Sequence, residues 1–219
     1  MGPARAPAFA LVAGALALPG ASACVSYGQH LSASPLPKSQ RELSLNADVL
    51  VVDRGFGVQA LPNPELGYRF GVGSDWDLGG RVNAGSLETN ARWRIARGFA
   101  DFALVPGVGF GFVPVTNADT GLFNMHLLAS ALAGWHVFER SQLVIGARGA
   151  VTYAFPLTAF RGDASGDKVY YLWGGVLGLR FPLSQSVFLF PELNVMRPYD
   201  AQRGQWLSPT LQGGVALQW

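Results

Sequence analysis

The residues with which this chain could do chemistry are few. His126 and His136 share a parity with Ser130 between them, and a set of arginines and carboxylates is scattered through the middle of the sequence. A nucleophilic serine needs a histidine and a carboxylate within hydrogen-bond reach. In an extended chain Ser130 lies four residues beyond His126, roughly 13 Å away, so the two cannot meet within one strand and a partner must come from another. One cysteine and dispersed histidines show no metal-ligand spacing, and no metal is implied. Gly107-Val108-Gly109-Phe110-Gly111 alternates glycine without the strand-turn-helix context or the lysine of a phosphate loop, so no nucleotide or other cofactor is implied either. Alternating glycine relieves crowding between side chains on one face of a curved sheet.

The charged set comprises Arg69, Arg81, Arg92, Arg94, Arg148 and Arg180 with Glu42, Asp48, Glu65, Asp77, Glu88 and Glu192. The elements that position it have a period of two. Strand-like segments are predicted at 42–53, 64–72, 76–84, 87–96, 100–112, 122–137, 142–155, 168–181, 187–196 and 206–219. In each, one parity is apolar and the other carries small, polar or charged residues. Leu43, Leu45, Ala47, Val49 and Val51 share a face, as do Val169, Tyr171, Trp173, Leu177, Leu179 and Phe181.

A soluble sandwich would alternate too, but its outer face would be rich in lysine and glutamate. Here lysines are very few, and the second face is Gly, Ala, Ser, Thr and Asn with charges of both signs. That composition suits a narrow lumen, with the apolar parity facing lipid. The links near 73–75, 97–99, 139–141 and 184–186 are tight, while those near 54–63, 113–121, 156–167 and 197–205 are longer; the link at Gly85-Ser86 is a short exception. Short periplasmic turns alternating with longer extracellular loops are a rule of outer-membrane barrels, and the parity places both termini in the periplasm. Aromatics on the apolar parity sort into two belts: Phe70, Trp76, Trp93, Phe102, Trp135, Phe181 and Trp219 at one end, and Phe110, Phe112, Phe123, Tyr153, Phe155, Tyr171 and Trp173 at the other.

Residues 1–23 carry Arg5, an apolar run from Ala8 to Leu18, a Pro19-Gly20 break and Ala21-Ser22-Ala23. This is the n-region, h-region and small-residue cleavage site of an export signal, too short to span a bilayer as a helix. Ser22-Ala23-Cys24 resembles the end of a bacterial lipobox, with Ala21 where that pattern prefers leucine. The resemblance implies acylation of Cys24; the alternative is an ordinary signal-peptidase cut that exposes a cysteine. Residues 24–40, rich in Ser, Pro and Gln, read as a periplasmic tether, and 41–219 as the barrel. Removing Arg5 takes the formal charge from +2 to +1, which gives no indication of a nucleic-acid partner.

The C-terminal alternation of Val215, Leu217 and Trp219 resembles the strand that bacterial barrels present to their assembly machinery, and implies that machinery as a partner beside outer-membrane lipid. The whole mature chain resembles the broad class of Gram-negative outer-membrane β-barrel proteins. The expected fold is an all-β, antiparallel up-and-down transmembrane barrel of about ten strands, with eight or twelve as alternatives. The residues favour a non-enzymatic structural or envelope-interaction role with at most a narrow passage. Two other readings are a small-solute channel lined by Glu65, Arg69, Asp77, Arg81, Glu88, Arg92, Arg94, Arg148, Arg180 and Glu192, and a lipid-modifying or proteolytic barrel enzyme. Arg161-Gly162-Asp163, in a long extracellular loop, resembles an integrin-recognition tripeptide, a pattern short enough to recur by chance.

Overall fold

The computed structural model describes residues 32–53, 58–83, 85–114, 121–156, 168–198 and 210–219. The signal segment, Cys24 and Arg161-Gly162-Asp163 lie outside the described residues. Ten strands follow one another: β1 (Arg41–Asp53), β2 (Val58–Gly71), β3 (Trp76–Asn83), β4 (Ser86–Ala96), β5 (Ala100–Pro114), β6 (Gly121–Phe138), β7 (Ser141–Pro156), β8 (Lys168–Pro182), β9 (Val187–Pro198) and β10 (Thr210–Gln218). Each pairs antiparallel with its sequence neighbours, and β1 pairs with β10 to close the barrel. Closure leaves no sheet edge to be covered. The up-and-down barrel expected from the alternation is the fold of the chain.

The strands β2 to β3, β4 to β5, β6 to β7 and β8 to β9 join through tight turns at 72–75, 97–99, 139–140 and 183–186, all at the end where β1 begins and β10 finishes. This is called the terminus end below. The segment expected at 64–72 leaves residues 58–63 to a link, whereas β2 includes them. Pro62 and Pro64 pair with Val49 and Ala47 of β1, whereas β3 ends at Asn83 opposite Glu65. Residues 58–64 therefore have β1 alone as a ladder neighbour, and a proline lacking an N–H is tolerated where one side is unpaired. Pro106 and Pro191 lie deeper in the wall. The β4–β5 ladder passes from Asn90↔Gly107 to Trp93↔Leu104, and the β8–β9 ladder from Gly178↔Glu192 to Phe181↔Leu189, each with a gap opposite the proline.

Parity sorts the two faces. Leu45, Leu87, Leu127, Tyr171 and Leu177 are apolar yet exposed on the outside, a continuous surface that water would not tolerate and lipid would. Phe70, Trp76, Trp93, Phe102, Phe181 and Trp219 are exposed toward the terminus end, and Phe110, Phe112, Tyr171 and Trp173 toward the other. Trp135, Phe123 and Tyr153 are half-exposed, and the side chain of Phe155 is outside the described set.

The interior is uneven. Residues from β1 to β4 fill it with charge, whereas β5 to β9 turn Val105, Leu128, Leu132, Val144, Leu172, Val176, Phe188 and Met196 inward as buried apolar clusters beside the buried polar side chains of Arg148, Glu192 and Asn194. The stretch from Ser32 to Gln40, expected as the end of a tether, is packed against the terminus end. Ser32, Ala33 and Leu36 are buried there, Ala33 within the cluster of Val105 and Leu132.

Candidate functional site

Arg92 of β4 and Asp77 of β3 are direct cross-strand partners, as are Glu88 and Arg81. Opposite charges facing each other on one side of an antiparallel pair satisfy each other without long reach. Asp77 is wholly buried and binds both Arg92 and Arg69. Arg69 reaches it diagonally because Gly79 stands opposite, where a Cβ would sit 2.6 Å from the Arg69 Nη2. Arg69 also donates to the Asn90 Oδ1, and the Asn90 Nδ2 donates to the Glu88 Oε1 at 3.2 Å. Arg81 bridges Glu88 (2.5 Å) and Glu65 (3.3 Å), and the Asn46 amide donates to Glu65 at 3.2 Å. One continuous network thus runs along the lumenal face from β1 to β4.

A second network crosses β6 to β10. Arg148 donates to the Asn194 Oδ1 (3.0 Å) and the Ser130 Oγ (3.3 Å), while Asn194 donates to Glu192 (2.5 Å) and Gln212 (2.9 Å). Arg180 lies 3.6 Å from Glu42, and its guanidinium stacks 4.0 Å above the Phe188 ring. A buried ion costs several kcal/mol if unpaired. The structure answers that cost by placing carboxylates and amide oxygens beside the arginines.

Between Arg69, Arg81, Glu42 and Glu65 lies an internal space of about 30 Å³, the share of one water molecule in the liquid.

The N-terminal segment ties into the first network through its backbone. Arg92 donates to the Ser32 carbonyl (2.7 Å) and hydroxyl (2.8 Å), and the Leu36 N–H donates to Asp77 at 2.7 Å. Ala33 N–H donates to the Gln142 Oε1 at 2.8 Å, and the Ser34 hydroxyl donates to Asp101. Gly71 makes room for the segment, since a Cβ there would fall inside the Pro37 carbonyl oxygen and 2.6 Å from that of Leu36.

Apart from Asp48, whose side chain is outside the described set, the charged residues singled out in the sequence as lumenal lie on this interior, with Arg94 at its rim, 3.1 Å from Asp75 and 3.5 Å from Asp101. The structure does not join Ser130 to His126. Leu128 separates them on the same strand, Ser130 accepts from Arg148, and the His126 Nε2 lies 3.7 Å from Glu88. His136 is at the terminus end, 3.3 Å from Asp101. Among the described residues no group of three or more His, Cys, Asp or Glu side chains is placed to hold a metal.

Sequence reasoning missed the role of Ser32 to Leu36 and the apolar part of the lumen. The first acts through backbone groups together with the Ser32 and Ser34 hydroxyls, and neither singles out a position within a Ser-rich stretch. The second had a faint signal in β6, where Leu127 and Leu128 are both apolar so that neither parity is polar throughout.

No family model matches the chain, and no curated protein matches it. Among solved structures it is similar to Neisserial surface protein A, at 15% identity over 81% of this chain and 94% of that one, with a TM-score of 0.37. It is also similar to the Yersinia pestis outer membrane protein Ail in a phospholipid nanodisc, at 14% identity over 83% and 100%, with a TM-score of 0.42. A third is the translocator domain of the autotransporter NalP from Neisseria meningitidis, at 13% identity over 84% and 89%, with a TM-score of 0.47. By its own geometry the chain is a ten-stranded antiparallel β-barrel with an apolar outer wall and ion pairs within.

Proposed function

We propose that this protein is an integral outer-membrane barrel with a structural or envelope-interaction role, non-enzymatic, and closed to solutes at its terminus end by its own residues 32–37. The observation that carries this reading is the seating of Ser32, Ala33 and Leu36 inside the mouth, hydrogen-bonded to Arg92, Gln142 and Asp77. A selectivity filter needs a surplus of one charge around open space. Here arginines and carboxylates neutralise one another, and apolar clusters share the rest of the interior with the Arg148 network. Tight turns at the terminus end support a periplasmic position for both termini. The outward Val215, Leu217 and Trp219 of the final strand support delivery by the barrel-assembly machinery.

Planar-bilayer recording tests the reading. The intact protein is expected to give no steady conductance, and deletion of residues 32–37 is expected to raise it. A steady current through the intact protein, with ion preference altered by Arg92→Ala or Arg148→Ala, would replace this reading with that of an arginine-lined channel.

A further inference from the structure

The closed-barrel reading leaves unused a cavity of about 870 Å³ at the terminus end, between the seated segment and the rim. That is the size of a small-molecule site. Its chemistry differs from that of the neutralised interior. Lys38, Arg94, Arg97, Arg140 and Arg180 line it, with Asp101 the one carboxylate among the lining residues.

Arg94 and Arg97 are matched by Asp75 at 3.1 and 2.7 Å, and Arg180 by Glu42 at 3.6 Å. Lys38 and Arg140 have no carboxylate partner among the described residues. Arg140 donates to the carbonyls of Gln185 (2.5 Å) and Ser184 (3.5 Å). Its guanidinium lies 4.8 Å from the centre of the Phe188 ring, which also carries Arg180 at 4.0 Å. Two cations drawn to one ring repel each other, and an anion beside them removes that cost.

The backbone gives a second, independent sign. Among the described non-glycine residues only Ser39 and Arg140 have a positive φ, at 71° and 66°. Arg140 lines the cavity and Ser39 follows Lys38, which also lines it. Glycine would hold either turn without strain. An arginine kept in the left-handed region places its charge over the mouth at a cost to the turn, and such outliers collect at binding sites.

We propose that this vestibule binds a small anion through a phosphate or carboxylate group, received by Arg140 and Lys38 above the Phe188 ring. The group could be presented by a soluble solute entering the mouth or by an anionic lipid headgroup at the rim. The site stands whether or not the lumen conducts.

Calorimetric titration of the full-length protein in maltoside micelles with citrate and with inorganic phosphate tests the soluble source. Thermal unfolding in phosphatidylcholine nanodiscs, with and without phosphatidylglycerol, tests the headgroup. Saturable binding in micelles, weakened tenfold or more by Arg140→Gln and largely restored by Arg140→Lys, supports the site with a solute as its ligand. A rise in unfolding temperature only with phosphatidylglycerol, lost in Arg140→Gln, supports it with a headgroup. Arg140→Gly relieves the turn and is expected to lose binding while keeping the fold, so a folding defect cannot mimic the result. No saturable response in either setting, or a response unchanged in Arg140→Gln and Lys38→Gln, overturns the proposal.

Discussion

Arg92 and Ser32 are 60 residues apart in sequence, yet the guanidinium of one closes on both the carbonyl and the hydroxyl of the other inside the barrel mouth. The same arginine grips Asp77, so one side chain joins the wall to the segment that fills it. Asp77 keeps Arg69 and the Leu36 N–H when Arg92 is removed, so Arg92→Met costs the lost hydrogen bonds rather than a stranded charge. It is expected to destabilise the folded barrel by about 1–3 kcal/mol, measured by urea unfolding in lipid vesicles. It should also release the N-terminal segment to limited proteolysis. Wild-type protection in the variant would mean that the segment is held by other contacts.

Gly71 and Gly98 make a paired test of the same seat. A Cβ at Gly71 would overlap the Pro37 carbonyl oxygen, while at Gly98 nothing lies within 4 Å. Gly71→Ala should cost about 1–3 kcal/mol, as overpacking does, and expose residues 32–40 to protease. Gly98→Ala should do neither. Equal behaviour of the two variants would argue against a closely packed segment.

At the Asp75 turn the predicted quantity is a titration midpoint. The Ser74 hydroxyl, then Arg94 and Arg97, hold the Asp75 carboxyl down from 3.8 to about 2. Because the folded value lies below the unfolded one, the turn's contribution to stability is complete above the unfolded value. It is lost as pH falls from about 4 toward 2. Carboxyl-carbon NMR of the folded protein should give a midpoint near 2, moving up toward 3.8 in Ser74→Ala. An ordinary midpoint in the wild type would refute the arrangement.

The outer wall makes a prediction of its own. Leu45 is 59% exposed on the apolar face of β1, and a charge placed on the lipid face of a barrel near the midplane costs about 2–4 kcal/mol. Leu45→Arg should lower stability by that amount in lipid vesicles, whereas Gln185→Arg, at an exposed position of the tight turn, should be close to neutral. A neutral Leu45→Arg would mean that this face does not meet lipid.

Much of this barrel is legible in the sequence because lipid and lumen impose a strict period of two. Leu43 to Val51 and Val169 to Phe181 show it plainly, and the same parity puts Arg69, Arg81, Arg92 and Arg148 on one interior. Pairing is a different matter. That Asp77 faces Arg92, and Arg81 faces Glu88, depends on register, which the pairing of β3 with β4 sets and parity alone does not. Residues 58–63 read as a link in the sequence, yet Pro62 is tolerated in the strand there because β3 does not extend that far. Ser32 to Leu36 left no trace because they dock through N–H and carbonyl groups that every residue carries and through serine hydroxyls that a Ser-rich stretch does not single out.

The seating of that segment also orders events in time. Its partners Asp77, Arg92, Asp101 and Gln142 stand on β3, β4, β5 and β7, and the link from Ala33 to Gln142 spans 109 residues. Contacts of such separation form late, after the intervening chain has closed. Residues 32–37 are synthesised before any strand, yet they can settle only once those strands surround them, so a nascent barrel passes through an unstoppered stage before it is sealed.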